Sequence, residues 1–430
     1  MMEKIAFEQL QEELYYEKLG NGLDVYILPK KGFNKTYATF TTKYGSIDNH
    51  FKPFGKEEYV KVPDGIAHFL EHKLFEKEDG DVFQQFSRQG ASANAFTSFT
   101  RTAYLFSSTS QVEQNLETLM DFVQEPYFTE KTVEKEKGII GQEITMYDDN
   151  PDWRLYFGAI ENMYKEHPVR IDIAGTIESI SHITKDMLYE CYETFYHPSN
   201  MLLFVVGPVD PNEVMKQIKE NQSKKEYTDK PEIQRRFELE IEEVAQKKQV
   251  LEMNVQTSKC LVGIKAPPGE MTGKEMLKWE LSINLMLDIL FGKSSRHYSE
   301  LYSEGLVDDS FSYDYTQEQG FGFAMVGGDT PDAGKLAEKL TGMLLDAKAG
   351  TNFTEENLGR ATKKKIGNFL RAINSPEYIA NQFTRYAFNE MDLFDVVPML
   401  ESIKLDDIRQ AASSFIDEKR FTVCQVVPKK

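Results

Sequence analysis

The period of the apolar positions changes several times along the chain, and each change marks an element. LDVYILP (23–29) and TYATFTTKYGS (36–46) lie between Gly-rich and polar turns and predict strands. In DGIAHFLEHKLFEK (64–77), Ile66, Phe69, Leu70 and Leu74 recur at helical spacing, and Asp64 is placed to cap the first turn. DVFQQFSRQG (81–90) predicts a second short helix ending at Gly90. ASANAFTSFTRTAYLFSS (91–108), rich in Thr and aromatic residues, predicts two strands joined near Thr100. Helical periods follow over 112–125, 130–149 and 153–166. MLLFVVGPVDP (201–211) reads as a buried strand stopped by Gly and Pro.

The stretch QSKKEYTDKPEIQRRF (222–237) interrupts this rhythm. It is charged, nearly free of aliphatic side chains and holds Pro231, which marks a linker. A second series begins after it. Strands are expected near 249–265 and 309–327, helices near 273–291, 331–348, 354–373 and 376–390, and a last strand at 421–427. The halves share this order, so the expected fold is α+β with two related domains, sheets flanked by helices. The expected division is an N-terminal domain at 1–222, a linker at 223–237 and a C-terminal domain at 238–430.

Composition narrows the class. A chain of 430 residues exceeds one ordinary core, and 29 Phe and 21 Tyr supply ample apolar volume. The formal net charge of −19 argues against a nucleic-acid partner and against docking on anionic lipid. It serves solubility, or an acidic cavity that attracts basic peptides. The start MMEKIAFEQLQEELYY lacks a secretory pattern, and no run of about 18 apolar residues predicts a membrane span. Cys191, Cys260 and Cys424 are odd in number and far apart, as expected of free thiols in a reducing compartment. A cytoplasmic location is expected.

The chemistry concentrates in His68-Phe69-Leu70-Glu71-His72. Side chains four apart on a helix share a face, so two imidazoles can reach one ion at about 2.0–2.1 Å. Glu71, turned slightly round the helix, need not be a ligand; it can hold the water that a metal activates and move its proton. Two histidines on a helix can also be plain surface, but Phe69 and Leu70 make this helix amphipathic and buried. A catalytic zinc takes three protein ligands and keeps one place open, and the string offers two. His50, His167, His182, His197 and His297 stand in no suggestive context. Glu136 and Glu143 are seven apart on one predicted helix, so one could bind a metal while the other orients a ligand histidine. Alone, they would read as a solvated face. A structural zinc site is the weaker alternative, because such sites fill four positions with Cys and His.

The sequence resembles the insulinase/pitrilysin-type zinc peptidases (inverzincins, HxxEH), in particular the bacterial type of the processing-peptidase-like branch. The resemblance runs through YGSIDN (44–49), DGIAHFLEHKLFE (64–76), GASANAFTSFTRTAYLF (90–106), EKEKGIIGQEITMYDDNP (134–151), GTIESISHITKDML (175–188) and FYHPSNMLLFVVGPVDP (195–211). It implies that His68, His72 and Glu143 bind one Zn2+ per chain and that Glu136 partners a histidine. Glu71 would be the general base, and the metal-bound water the nucleophile. It implies that Asn94 and Ala95 lie on an edge strand that pairs with the substrate backbone. The implied fold is a clam-like pair of α+β halves round a chamber, and the implied activity is endopeptidase action on short or unfolded peptides. One departure stands out. The family's active members also use an Arg and a Tyr, seven apart, to hold the substrate carbonyl. In SSRHYSELYSEGLVDDSFSYDY (294–315), Tyr302 stands at the Arg position and Asp308 or Asp309 at the Tyr position. Arg296 and Tyr302 are six apart, and Arg371 and Tyr378, though seven apart, fall in a predicted helical region. This implies a heterodimer in which a homologous subunit supplies the pair, with a homodimer as second choice. The alternative is a non-catalytic, peptide-binding or assembly subunit.

Overall fold

The computed structural model describes residues 2–78, 80–228 and 232–429. Pro231, which marked the linker, lies outside the described residues. The fold is α+β, and the chain forms two compact units that are not contiguous in sequence. One gathers Met1–Ile144, Ile171–Phe237 and Ala372–Phe388; the other gathers Thr145–Arg170, Glu238–Arg371 and Asn389–Lys430. The expected linear boundary is therefore crossed twice.

The first unit is built on a seven-stranded sheet. Its order is Glu3–Phe7, Glu12–Lys18, Asp24–Pro29, Met201–Gly207, Thr36–Thr42, Thr102–Ser108 and Ala91–Thr97. Every residue of Thr36–Thr42 and of Met201–Gly207 is buried, which explains their continuous apolar and Thr runs. Helix Pro376–Phe388 comes from late in the chain but packs on this sheet, its Phe383 ring 4.8 Å from those of Tyr26 and Phe204.

The second unit has a five-stranded sheet in the order Lys248–Met253, Phe421–Pro428, Ser258–Lys265, Phe321–Thr330 and Ser312–Glu318. Its strand directions repeat those of the last five strands of the first sheet, with one parallel pair and then three antiparallel ones. Helix Pro151–Met163 packs here, and Gly158 lets it approach: a Cβ there would lie 2.9 Å from Cys424 Sγ.

Two expectations change. Asp64 does not cap the helix Ile66–Leu74. Gly65 holds the N-cap position with φ 88°, and the Asp64 carboxylate instead accepts from Asn49 Nδ2 at 2.8 Å. The described part of 222–237 is not wholly free linker. Gln234–Arg235 pairs with the strand His50–Lys52, and Arg235 Nε donates to Asp48 at 2.6 Å.

Candidate metal centre

Helix Ile66–Leu74 buries its apolar residues and turns His68 and His72 to one side, their rings 4.6 Å apart. Helix Glu130–Asp148 brings Glu143 to the same place. His68 Nε2 lies 3.8 Å from Glu143 Oε1, and His72 Nε2 lies 3.6 Å from Glu143 Oε2. One donor atom from each residue falls within 4.8 Å of the others. A tetrahedral ion with bonds of about 2.0–2.1 Å wants donors about 3.4 Å apart, so two imidazoles and a carboxylate suit zinc with little movement. One turn pair back along the second helix, Glu136 Oε1 meets His72 Nδ1 at 3.1 Å and leaves Nε2 facing Glu143.

Electrostatics separate the two histidines. Burial, with the neighbouring His72, lowers the pKa of His68 to about 4, so its ring stays neutral and able to ligate. Burial also acts to lower His72, but the Glu136 hydrogen bond and the charges of Glu71, Glu136 and Glu143 outweigh it and raise the pKa. Glu71 is 8% exposed, and burial lifts its carboxyl to about 7 against the opposing hydrogen bond from Thr97.

The motif string and the distant acidic pair thus meet: His68, Glu71, His72, Glu136 and Glu143 form one cluster within the first unit. Asn94 and Ala95 lie on Ala91–Thr97, the edge strand of the sheet. The Asn94 side-chain oxygen accepts from the Ala95 N–H at 2.9 Å. Tyr302 is 59% exposed on helix Arg296–Ser303 of the second unit, and Asp308 and Asp309 follow in the turn before strand Ser312–Glu318. Arg371 and Tyr378 lie on separate helices assigned to different units. One site residue escaped the motif: Thr97, whose hydroxyl donates to Glu71 Oε2 at 2.5 Å. Strand alternation puts it on the face of Ala95, a signal that becomes useful only once the edge strand is known to lie beside the helix.

Comparison with known proteins gives the family. Residues 60–177 match the profile "Insulinase (Peptidase family M16)", and residues 182–365 match "Peptidase M16 inactive domain". Over the full length of both chains, 70% identity links it to "Uncharacterized zinc protease YmfH" of Bacillus subtilis (strain 168). The chain belongs to peptidase family M16. A second relative from that organism, "Putative zinc protease AlbF", shares 28% identity over 50% of each chain. The M16 fold recurs in the crystal structure of a putative M16-like peptidase from Alicyclobacillus acidocaldarius, with TM-score 0.94 and 39% identity, covering 97% of this chain and 99% of that one. Pitrilysin shares the fold at TM-score 0.77 and 15% identity, this chain matching 46% of its length.

Proposed function

We propose that this M16 chain is a zinc-dependent endopeptidase for short or unfolded peptides, with His68, His72 and Glu143 holding one Zn2+. The observation that carries the reading is the convergence of those three donors beside a buried carboxyl that is not needed as a ligand. A bound zinc ion would supply Lewis acidity at the scissile carbonyl. The remaining work falls to the protein. The edge strand Ala91–Thr97 offers its backbone, at Asn94 and Ala95, to a peptide added as a further strand, so affinity comes from main-chain hydrogen bonds. Glu136 fixes the orientation of the His72 ring. Glu71 takes the proton of the attacking water and passes it to the leaving nitrogen. A buried carboxyl beside the donors, held by Thr97 and not needed as a ligand, is placed to do both.

Tyr302 and Asp308 or Asp309 stand where the resemblance places an Arg and a Tyr. We propose on that ground that a homologous subunit supplies the oxyanion-holding pair in a heterodimer; a homodimer comes second. The same observation favours the competing reading, a peptide-binding subunit without catalysis. Three buried free cysteines suit a reducing, cytoplasmic setting, and net charge −19 suits basic peptides. Among the described residues no helix is long and apolar enough to cross a membrane.

The test is a fluorogenic unfolded-peptide assay of the chain alone and with a homologous partner, alongside metal analysis. We expect near-stoichiometric zinc, lost on His68→Ala. Turnover should appear with the partner and fall at least about a hundredfold in Glu71→Gln, with zinc retained. Full activity in Glu71→Gln, or a purified chain without zinc, would refute the peptidase. Zinc binding with no turnover in either assembly would leave the peptide-binding subunit.

A further inference from the structure

We propose that Thr97 is a positioning residue: it fixes the Glu71 carboxylate and ties it to the strand on which a peptide docks. The proposal rests on the peptidase reading above. Glu71 has a flexible side chain, projects from a nine-residue helix and ends in a buried carboxylate. Among the described residues, no lysine or arginine pairs with that carboxylate. Among the described residues, its one hydrogen bond comes from Thr97 Oγ1, at 2.5 Å, and reaches Oε2. Oε1 is thereby left for proton transfer.

The surroundings of Thr97 direct its single proton. Thr102 Oγ1 lies 3.4 Å from Thr97 Oγ1, but it donates at 2.9 Å to the Tyr44 carbonyl. The Glu71 carboxylate oxygen, at 2.5 Å, is both nearer and the stronger acceptor, so the Thr97 proton goes to Glu71. Thr97 is the last residue of the edge strand and pairs with Thr102 across the ladder. A β-branched side chain in a strand is stiff at χ1, so the hydroxyl direction is set by the backbone. Thr97 and Ala95 lie on one face of the strand, about 6.8 Å apart. The backbone that would hold the peptide and the group that orients the base are thus one rigid piece. A peptide seated in register on that strand meets Glu71 at a fixed offset.

Such a role acts on the chemical step and leaves binding alone. Thr97→Val keeps the shape and removes the hydroxyl; Thr97→Ser keeps the hydroxyl and removes a methyl. In the active assembly, Thr97→Val should lower kcat about tenfold or more, as expected for a lost hydrogen bond to a charged group. KM should stay within about twofold and zinc content should not change, while Thr97→Ser should retain most of kcat. An activity-free readout accompanies this. The Glu71 carboxyl band, isolated as the infrared difference between native protein and Glu71→Gln at one pH, should shift in Thr97→Val and not in Thr97→Ser. Native kcat in Thr97→Val, equal loss in both variants, or an unmoved band would overturn the proposal. A band that shifts as described in a protein without turnover would keep the positioning contact and reject the peptidase.

Discussion

Burial holds the His68 imidazole neutral and lifts the Glu71 carboxyl to about 7, while the carboxylates round His72 outweigh its burial and raise it. The same physics acts away from the site at His167, which is 4% exposed. Burial lowers its pKa from 6.5 to about 4, against the attraction of Glu240. Its Nδ1 accepts from the Val169 N–H at 3.1 Å, which requires that nitrogen unprotonated. The unfolded chain binds this proton more tightly than the folded one. Stability is therefore full above pH 6.5 and falls as pH drops toward 4, by up to about 3 kcal/mol from this group. His167→Asn keeps a side-chain acceptor and removes the titration. Its urea midpoint should change less than that of the native chain between pH 7 and pH 4.5; equal changes would count against this account.

At the scale of elements, the decisive piece is the short helix Ile66–Leu74, whose start sets where both imidazoles fall. Gly65 adopts φ +88°, and a Cβ there would meet the Ala174 carbonyl oxygen at 2.3 Å. Gly65→Ala adds left-handed strain to a backbone clash. It should cost at least about 2 kcal/mol in urea denaturation and weaken zinc binding in a competition titration. Unchanged stability and affinity would show that the helix start does not govern the ligand pair. The second unit offers a comparison. Its long helix Gly273–Phe291 also carries a polar pair four apart, Asn284 and Asp288. The helix Glu355–Ala372 brings lysines to that pair where Glu130–Asp148 brings a carboxylate to the histidines. Lys365 Nζ donates to Asn284 at 3.3 Å and Lys364 Nζ to Asp288 at 2.6 Å. These residues lie in the segment that matches the inactive-domain profile, and there the polar pair meets ammonium groups instead of a carboxylate.

For the whole molecule, the exchange of helices between chain halves has a direct consequence. A fragment ending at residue 237 would lose Pro376–Phe388, uncovering Tyr26 and Phe204. It would also strand Pro151–Met163, whose Leu155, Phe157 and Ile160 are buried in the intact chain. Each lost aromatic burial removes about 1.5–3 kcal/mol. Fragment 1–237 should bind a hydrophobic dye and melt below the full chain, and co-expression with 238–430 should reverse both. A monomeric fragment with native melting and no dye binding would show that each sequence half folds by itself.

The α+β class, many of the longer strands and helices, and the histidine pair were legible in the sequence, because periodicity and i,i+4 spacing are local properties of a chain; the two strands that open the first sheet, Glu3–Phe7 and Glu12–Lys18, were not. The weight on Glu136 and Glu143 came from resemblance, since two glutamates on a polar helix carry no local mark of what they face. Asp64 failed as a cap because the choice between a side-chain cap and a left-handed Gly65 depended on a loop more than a hundred residues away, at Ala174. Thr97 and the exchanged helices were silent for the same reason: their partners are distant in sequence. Long-range packing alone decided which carboxylate meets the imidazoles, which hydroxyl meets Glu71 and which sheet each helix covers.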